Sequence, residues 1–366
     1  SLSQVCADLF LFRQLAAAAA GWVGVAQDAL ALVDEYGSRL VDELDFTLEA
    51  RNALEFQESV VRLDLESICT VARPIVMLTS RTVLATVWLE GEKLDALAKR
   101  DPDEAQRMQS VALTAYLSML LETGSLHADP HVGNLVRASD GRLAILDWGL
   151  VTRISPALRG SLLTYIAHVL AQDYKSIPAD LVALGFISAD MQEMIDEDEV
   201  AQGISKVFRE MASGGAISRR FSEILPILGA VREKHGRLAR VPAVFFYILR
   251  TFSILEGSGL HLNADYKIVE DCFPYLASWA TRARGPEARR LLKTVLYGAG
   301  GQAMPDARQI LTLCRGLAAH IRQAAAWRRR GTSLPDADEA AAAQAVLFEE
   351  AGRAADVLLR EGLETA

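Results

Sequence analysis

Two carboxylates and a carboxamide stand close enough in this sequence to share one chemical task. In His127-Ala128-Asp129-Pro130-His131-Val132-Gly133-Asn134 a carboxylate precedes a carboxamide by five residues, and a second carboxylate heads Asp147-Trp148-Gly149. Between them lie two short apolar runs, Asn134–Ala138 and Leu143–Leu146, around Asp140-Gly141, a pair that favours a hairpin turn. A hairpin there folds Asp147 back toward Asp129 and Asn134. Phosphoryl transfer uses that set: one Asp orients or deprotonates the acceptor, while an Asp and an Asn supply hard oxygens to Mg²⁺ on the nucleotide phosphates. Taken singly, the three residues read as a turn, a strand cap and a strand end. Their joint occurrence around a hairpin favours a nucleotide–metal site.

The order also follows the kinase pattern His-x-Asp, four residues, Asn, strand, turn, strand, Asp-x-Gly, with Ala128 at the usual Arg and Trp148 at the usual Phe. A rival arrangement takes His127 and His131 with Asp129 and Asp147 as a mononuclear metal centre of the hydrolase type. The four-residue histidine spacing suits a helix, but Pro130 lies between them, and Asn134 and the hairpin are left unused.

The elements that must position these residues are mostly helical. Ser3 to about Ser59 carries apolar residues at helical spacing without proline. Pro74–Leu78 and Thr82–Trp88 are β-branched runs joined by Thr79-Ser80-Arg81, a predicted hairpin that Glu90-Gly91 ends. Helical periodicity returns from Asp103 to Thr123, where Gly124 suits a left-handed cap. Beyond Ser155-Pro156, an N-cap followed by proline at the first helical position, nearly everything reads as helix. Gly185, Gly229, Gly257-Ser258-Gly259 and Gly285-Pro286 punctuate it, and Gly331–Asp338 reads as a loop. Asp196–Glu199 suits a solvated helix start.

Bulk properties exclude some classes. The net charge of −9, from 38 Lys and Arg against 47 Asp and Glu, argues against a nucleic-acid binder. Cys6, Cys69, Cys272 and Cys314 lack paired spacing, which excludes a zinc ribbon and is expected of reduced, buried thiols. The longest uncharged apolar run, Leu15–Ala26, is shorter than the roughly 20 residues a bilayer needs, so no transmembrane helix is expected. Residue 1 is Ser, and no signal or transit sequence precedes the first apolar stretch, so targeting is not expected to be readable from this chain. Arg282, Arg284, Arg289, Arg290, Lys293 and Arg328–Arg330 suit a solvated helix face or anionic headgroups.

The strings LHADPHVGNL and LAILDWGL resemble the signature of the UbiB-type atypical kinases, also called aarF-domain-containing or ADCK proteins. That family has His-Ala-Asp-Pro-His-Pro-Gly-Asn and then Asp-Phe-Gly; Val132 and Trp148 replace the Pro and the Phe, neither of which is a metal ligand. Upstream, VDELDFTLEARNALEF resembles the family's Glu-x-Asp pair and Glu-Ala-x-Asn helix, here Glu43, Asp45, Glu49, Ala50 and Asn52. Leu249–Leu276 resembles its helical C-terminal part, especially in plastid and cyanobacterial-type members. The resemblance spans about residues 1–300.

It implies an α+β, mostly α, protein-kinase-like fold. Residues 1–90 would be the remainder of a small N-lobe, 91–300 a helical C-lobe carrying the catalytic and metal loops, and 301–366 a helical extension. It implies ATP and Mg²⁺, with Asp129 as acceptor-orienting base, His127 holding the loop, and Asn134 and Asp147 as metal ligands. Gly149, Glu43 and Asp45 join the cofactor-binding set. Glu49 would pair with the strand lysine that grips the phosphates, while Glu43 and Asp45 would belong to an element restraining activity. Without the family these three acids read as solvated charges.

The family's Lys-x-Gly-Gln motif, alanine-rich nucleotide loop and phosphate-gripping lysine do not occur in this chain, which is therefore expected to be partial and to turn over little by itself. Val87 stands where the family's hinge is acidic. The implied activity is phosphotransfer or ATP hydrolysis in quinone or other isoprenoid-lipid metabolism. The alternative is a pseudokinase scaffold. Implied partners are nucleotide, a membrane surface and prenyl-lipid or quinone pathway proteins, in an organelle, plastid rather than mitochondrion.

Overall fold

A computed structural model describes residues 2–23, 37, 42, 44–170, 173–187, 242–282, 294 and 315–320. Its elements are α1 (Leu2–Val23), α2 (Phe46–Arg62), β1 (Cys69–Val71), a 3₁₀ turn (Val76–Leu78), β2 (Gly91–Lys93), α3 (Leu94–Arg100) and α4 (Pro102–Ser118). A π-helical turn (Met119–Thr123) extends α4, followed by β3 (Ser125–His127), β4 (Leu135–Ala138), β5 (Leu143–Ile145) and β6 (Val151–Arg153). Then come α5 (Pro156–Leu170), α6 (Ile177–Ala183), α7 (Ala243–Leu262) and α8 (Ile268–Arg282). The expected class, mostly helix with small sheets, is the one found. The chain divides into two units: residues 1–108, 125–153 and 240–255, and residues 109–124, 154–239 and 256–366.

The first unit holds both sheets. One runs β1-β5-β4-β2, with β1 parallel to β5 and the other pairs antiparallel; β3 and β6 form a separate antiparallel ribbon. The Asp140-Gly141 hairpin forms as expected, with Gly141 at φ 87° and Leu135 paired to Ile145. Asp45 caps α2 by accepting from the Thr47 amide, and Ala50, Ala53, Phe56 and Val60 form its buried face.

The earlier hairpin departs from expectation. Its arms pair, through Ile75 N–H to Ala85 carbonyl at 2.7 Å and Val87 N–H to Arg73 carbonyl at 2.8 Å. The first arm, however, coils into the 3₁₀ turn instead of a continuous strand. The Thr79 hydroxyl donates to the Ile75 carbonyl at 3.1 Å and accepts from the Ala85 amide at 3.3 Å, satisfying backbone groups that a ladder would otherwise use. Gly91 does not end a strand but begins β2: an added Cβ would lie 2.5 Å from the Arg137 carbonyl, so only glycine permits this approach.

Buried Glu104 organises the sheet's flank. It accepts from Arg107 at 2.6 and 2.8 Å and from Arg137 Nε at 2.8 Å, and Arg107 also donates to the Gly141 carbonyl at 3.0 Å. Glu104→Ala leaves two guanidiniums without their shared carboxylate and is expected to cost about 3 kcal/mol. Urea unfolding checks this; a loss below about 1 kcal/mol would place the network among weak surface pairs.

In the second unit Ser155 caps α5 as expected, its Oγ accepting from Leu158 N–H at 3.2 Å. Gly124 takes the expected left-handed conformation at φ 72°. His168 Nδ1 lies 2.7 Å from Asp180 Oδ2, a hydrogen bond that raises the histidine pKa. Gly257-Ser258-Gly259 does not interrupt α7; Tyr266 packs where a Gly259 side chain would stand, so packing and not a break explains the residue. By length and composition α7 is the helix among the described residues long and apolar enough to cross a membrane, and half of its apolar stretch is buried.

Cys69 is buried, with burial pushing its thiol up to about 12. Cys6 is exposed, against expectation, because it lies on α1 where side chains such as Phe10 and Leu15 are exposed too. Cys314, Asp196–Glu199, Gly229, Gly285-Pro286, Gly331–Asp338, Arg328–Arg330 and the basic cluster beyond Arg282 lie outside the described residues.

Candidate active site

The loop after β3 is built around His127. Its ring is fully buried; Nε2 donates to the Asp147 carbonyl at 2.8 Å and lies 3.3 Å from that of Leu146. Nδ1 accepts from the Asp129 amide at 3.2 Å. These partners assign the neutral tautomer with the proton on Nε2, and burial lowers the ring's pKa in agreement. One side chain thus ties the backbone of Asp129 to that of Asp147.

Asn134 is buried, and its Nδ2 donates to the Asp129 carbonyl at 3.2 Å, which leaves Oδ1 as its oxygen donor. Leu146 N–H donates to the Asn134 carbonyl at 2.8 Å, closing the base of the hairpin. Asp147 has left-handed backbone (φ 57°), which Asp tolerates better than most residues. Its carboxylate is exposed and receives one long bond, from Gly149 N–H at 3.4 Å. An anionic and a neutral hard oxygen are the donor chemistry Mg²⁺ takes.

Helix α2 grips the next residue. Glu49 Oε1 accepts from the Trp148 amide at 3.2 Å, and Asn52 Nδ2 donates to the Trp148 carbonyl at 3.0 Å. The Trp148 indole stacks on Phe56 at 4.5 Å, meets His127 edge-on at 5.0 Å, and donates Nε1–H to the Ile145 carbonyl at 3.0 Å. Arg153 completes the clamp with Glu55 at 2.6 Å. Glu49 and Asp147 line one cleft of about 290 Å³ with Ala50, Thr86, Val87 and Trp88.

Residues 2–181 match the family model of the ABC1 atypical kinase-like domain. The chain carries an ABC1 domain. It is 30% identical over 300 residues to an uncharacterized Synechocystis protein, covering 80% of this chain and 50% of that one. Against ACTIVITY OF BC1 COMPLEX KINASE 1, chloroplastic, of Arabidopsis thaliana, it is 30% identical over 314 residues, 84% of this chain and 44% of the relative. An Arabidopsis aarF domain-containing protein kinase, also chloroplastic, is 28% identical over 275 residues, at 75% and 37%. The chain spans half or less of the length of these relatives. A solved complex of Rv3197 with erythromycin from Mycobacterium tuberculosis is 18% identical, with a TM-score of 0.44 and coverage of 69% and 63%.

The ABC1 domain thus brings His127, Asp129, Asn134, Asp147, Gly149 and Glu49 into one bonded set. Asp45 stands apart as the cap of α2: its carboxylate accepts from Thr47 and, at 3.1 Å, from Arg81, and the Thr47 hydroxyl bond lowers its pKa. Glu43 lies outside the described residues. The rival hydrolase-type centre fails, because both His127 nitrogens are spent on backbone, and the described residues hold no metal-binding group of three His, Cys, Asp or Glu.

Sequence reasoning missed three contributors. Phe56 follows Glu49 and Asn52 at helical spacing, so one face of α2 was legible as a clamp. Arg153 had no local signal. Arg250, a lone cation in the apolar run Ala243–Leu255, was a signal left unused; its Nη2 lies 2.9 Å from Asp129 Oδ1.

The lowered His127 pKa has a pH consequence. Near and below an unfolded value of about 6.5 the unfolded chain binds more protons here than the native one. Stability from this group is complete above that value and is lost as pH falls through it, while His168, with its raised pKa, works oppositely. Wild type is therefore expected to lose more stability between pH 7.5 and pH 5.5 than His127→Gln does. Parallel melting curves of the two proteins across that range would contradict the assignment.

Proposed function

We propose that this ABC1 domain binds Mg²⁺ with ATP and transfers its terminal phosphoryl group to an acceptor hydroxyl or to water. The supporting observation is the closed circuit His127 Nε2 to Asp147 carbonyl, Asn134 Nδ2 to Asp129 carbonyl, which links the three oxygen-bearing residues. Asp129 orients the acceptor and takes its proton. Asn134 Oδ1 and the Asp147 carboxylate hold the ion, which neutralises charge on the phosphates. His127 stays neutral and fixes the loop, and the clamp of Glu49 and Asn52 on Trp148 keeps the Asp147 turn in place. The cleft beside Val87 takes the base.

The quinone or isoprenoid-lipid setting rests on the family resemblance, as does association with a membrane surface. A plastid location is supported by the plant relatives, which are chloroplastic. Binding is tested by thermal unfolding of the full-length protein. Mg-nucleotide at a hundred times its dissociation constant should stabilise by about 2.7 kcal/mol. Asp147→Asn should abolish that shift, and an undiminished shift in the variant would mean that nucleotide binds elsewhere.

A further inference from the structure

The loop from His127 to Asn134 contains no lysine or arginine, so nothing within it offsets the charge of Asp129 beside the phosphates. The nearest downstream cation, Arg137, is committed to Glu104 at 2.8 Å. The compensating charge comes from α7. Arg250 Nη2 donates to Asp129 Oδ1 at 2.9 Å, while the next residue, Thr251, is fully buried with its hydroxyl 3.5 Å from the His127 carbonyl. Helix α7 therefore meets the loop at two consecutive positions, one reaching the backbone and one the carboxylate. The contact engages one carboxylate oxygen; Oδ2 makes no hydrogen bond among the described residues. Both side chains are partly exposed, Arg250 at 46% and Asp129 at 26%, so the pair borders solvent where an acceptor can approach.

We propose that Arg250 is the positioning residue for Asp129: it pins Oδ1 and thereby aims Oδ2 at the acceptor hydroxyl. This rests on the phosphotransfer reading above. A planar guanidinium fixes a carboxylate's orientation better than a rotating ammonium. Loss of such positioning costs on the order of 10²-fold in rate.

The test measures Mg-ATP turnover and nucleotide-induced thermal shift in the full-length protein for Arg250→Ala, Arg250→Gln and Arg250→Lys. Expected is a kcat lowered about 10²-fold in Ala and Gln with the thermal shift retained. Arg250→Lys should keep more turnover than Gln, and added guanidinium ion should restore part of kcat to Arg250→Ala. In the Asp129→Asn background Arg250→Ala should do nothing further, because the group it positions is gone. Should Arg250→Ala fold poorly, the Lys and Gln pair carries the comparison.

Wild-type turnover in Arg250→Ala, or effects that add to those of Asp129→Asn, would overturn the inference and leave the nucleotide reading standing. Nucleotide binding that depends on Asp147 without any turnover would overturn it as well, since nothing then reacts at Asp129. Absence of such binding in wild type would overturn the underlying reading, and this inference with it.

Discussion

Asp129→Asn in the full-length protein is expected to lower ATP turnover by roughly 10²–10⁴, the usual contribution of a positioned acid–base group, while nucleotide affinity stays within a few-fold. The separation follows from the geometry. Asp129 contributes its carbonyl to Asn134, at 3.2 Å, through the backbone, which the substitution preserves. Its carboxylate faces Arg250, and the ion's proposed oxygen donors are Asn134 and Asp147. ATP consumption would be followed with and without membranes or a phenolic quinone precursor. Equal slow rates in wild type and variant would mark background hydrolysis and favour a scaffold over an enzyme.

The second large effect is on stability. Trp148→Ala removes a buried indole that stacks on Phe56, abuts His127 and bonds the Ile145 carbonyl. Truncating a buried aromatic of this size costs about 3–5 kcal/mol through lost burial and the cavity left behind. Trp148→Phe keeps the ring stack and both backbone bonds to α2, and should lose far less and still bind nucleotide. A loss of under about 1 kcal/mol for Trp148→Ala would mean that the indole does not anchor the Asp147 turn.

The hairpin between Asn134 and Asp147 was legible because a local rule decides it. Asp140-Gly141 between apolar runs leaves few alternatives, and Gly141 at φ 87° is the conformation that pair supplies. Ser155-Pro156 and Gly124 were legible for the same reason, each terminus being fixed by a residue type at one position. The short strands β1, β3 and β6 were not. Each has three residues, too few for periodicity to register, and each exists because of a partner distant in sequence, as Cys69 pairs with Leu143.

The site shows the same division. The candidate oxygen donors could be named from their spacing, but the contacts that hold them in place could not. Glu49 reaches Trp148 across 99 residues and Arg250 reaches Asp129 across 121, distances at which one sequence carries no spacing rule. Asp45 shows the converse: a residue drawn into the cofactor set by family resemblance has, in the fold, the local geometry of a helix cap.

The central claim, that Asn134 and Asp147 hold a divalent ion with a nucleotide's phosphates, is tested most directly by titrating Mn²⁺ with electron paramagnetic resonance. Wild type with ATP should bind the ion in a ternary complex, and Asp147→Asn and Asn134→Leu should each lose it at the same concentrations while remaining folded. Mn²⁺ bound equally well by wild type and both folded variants would contradict the account.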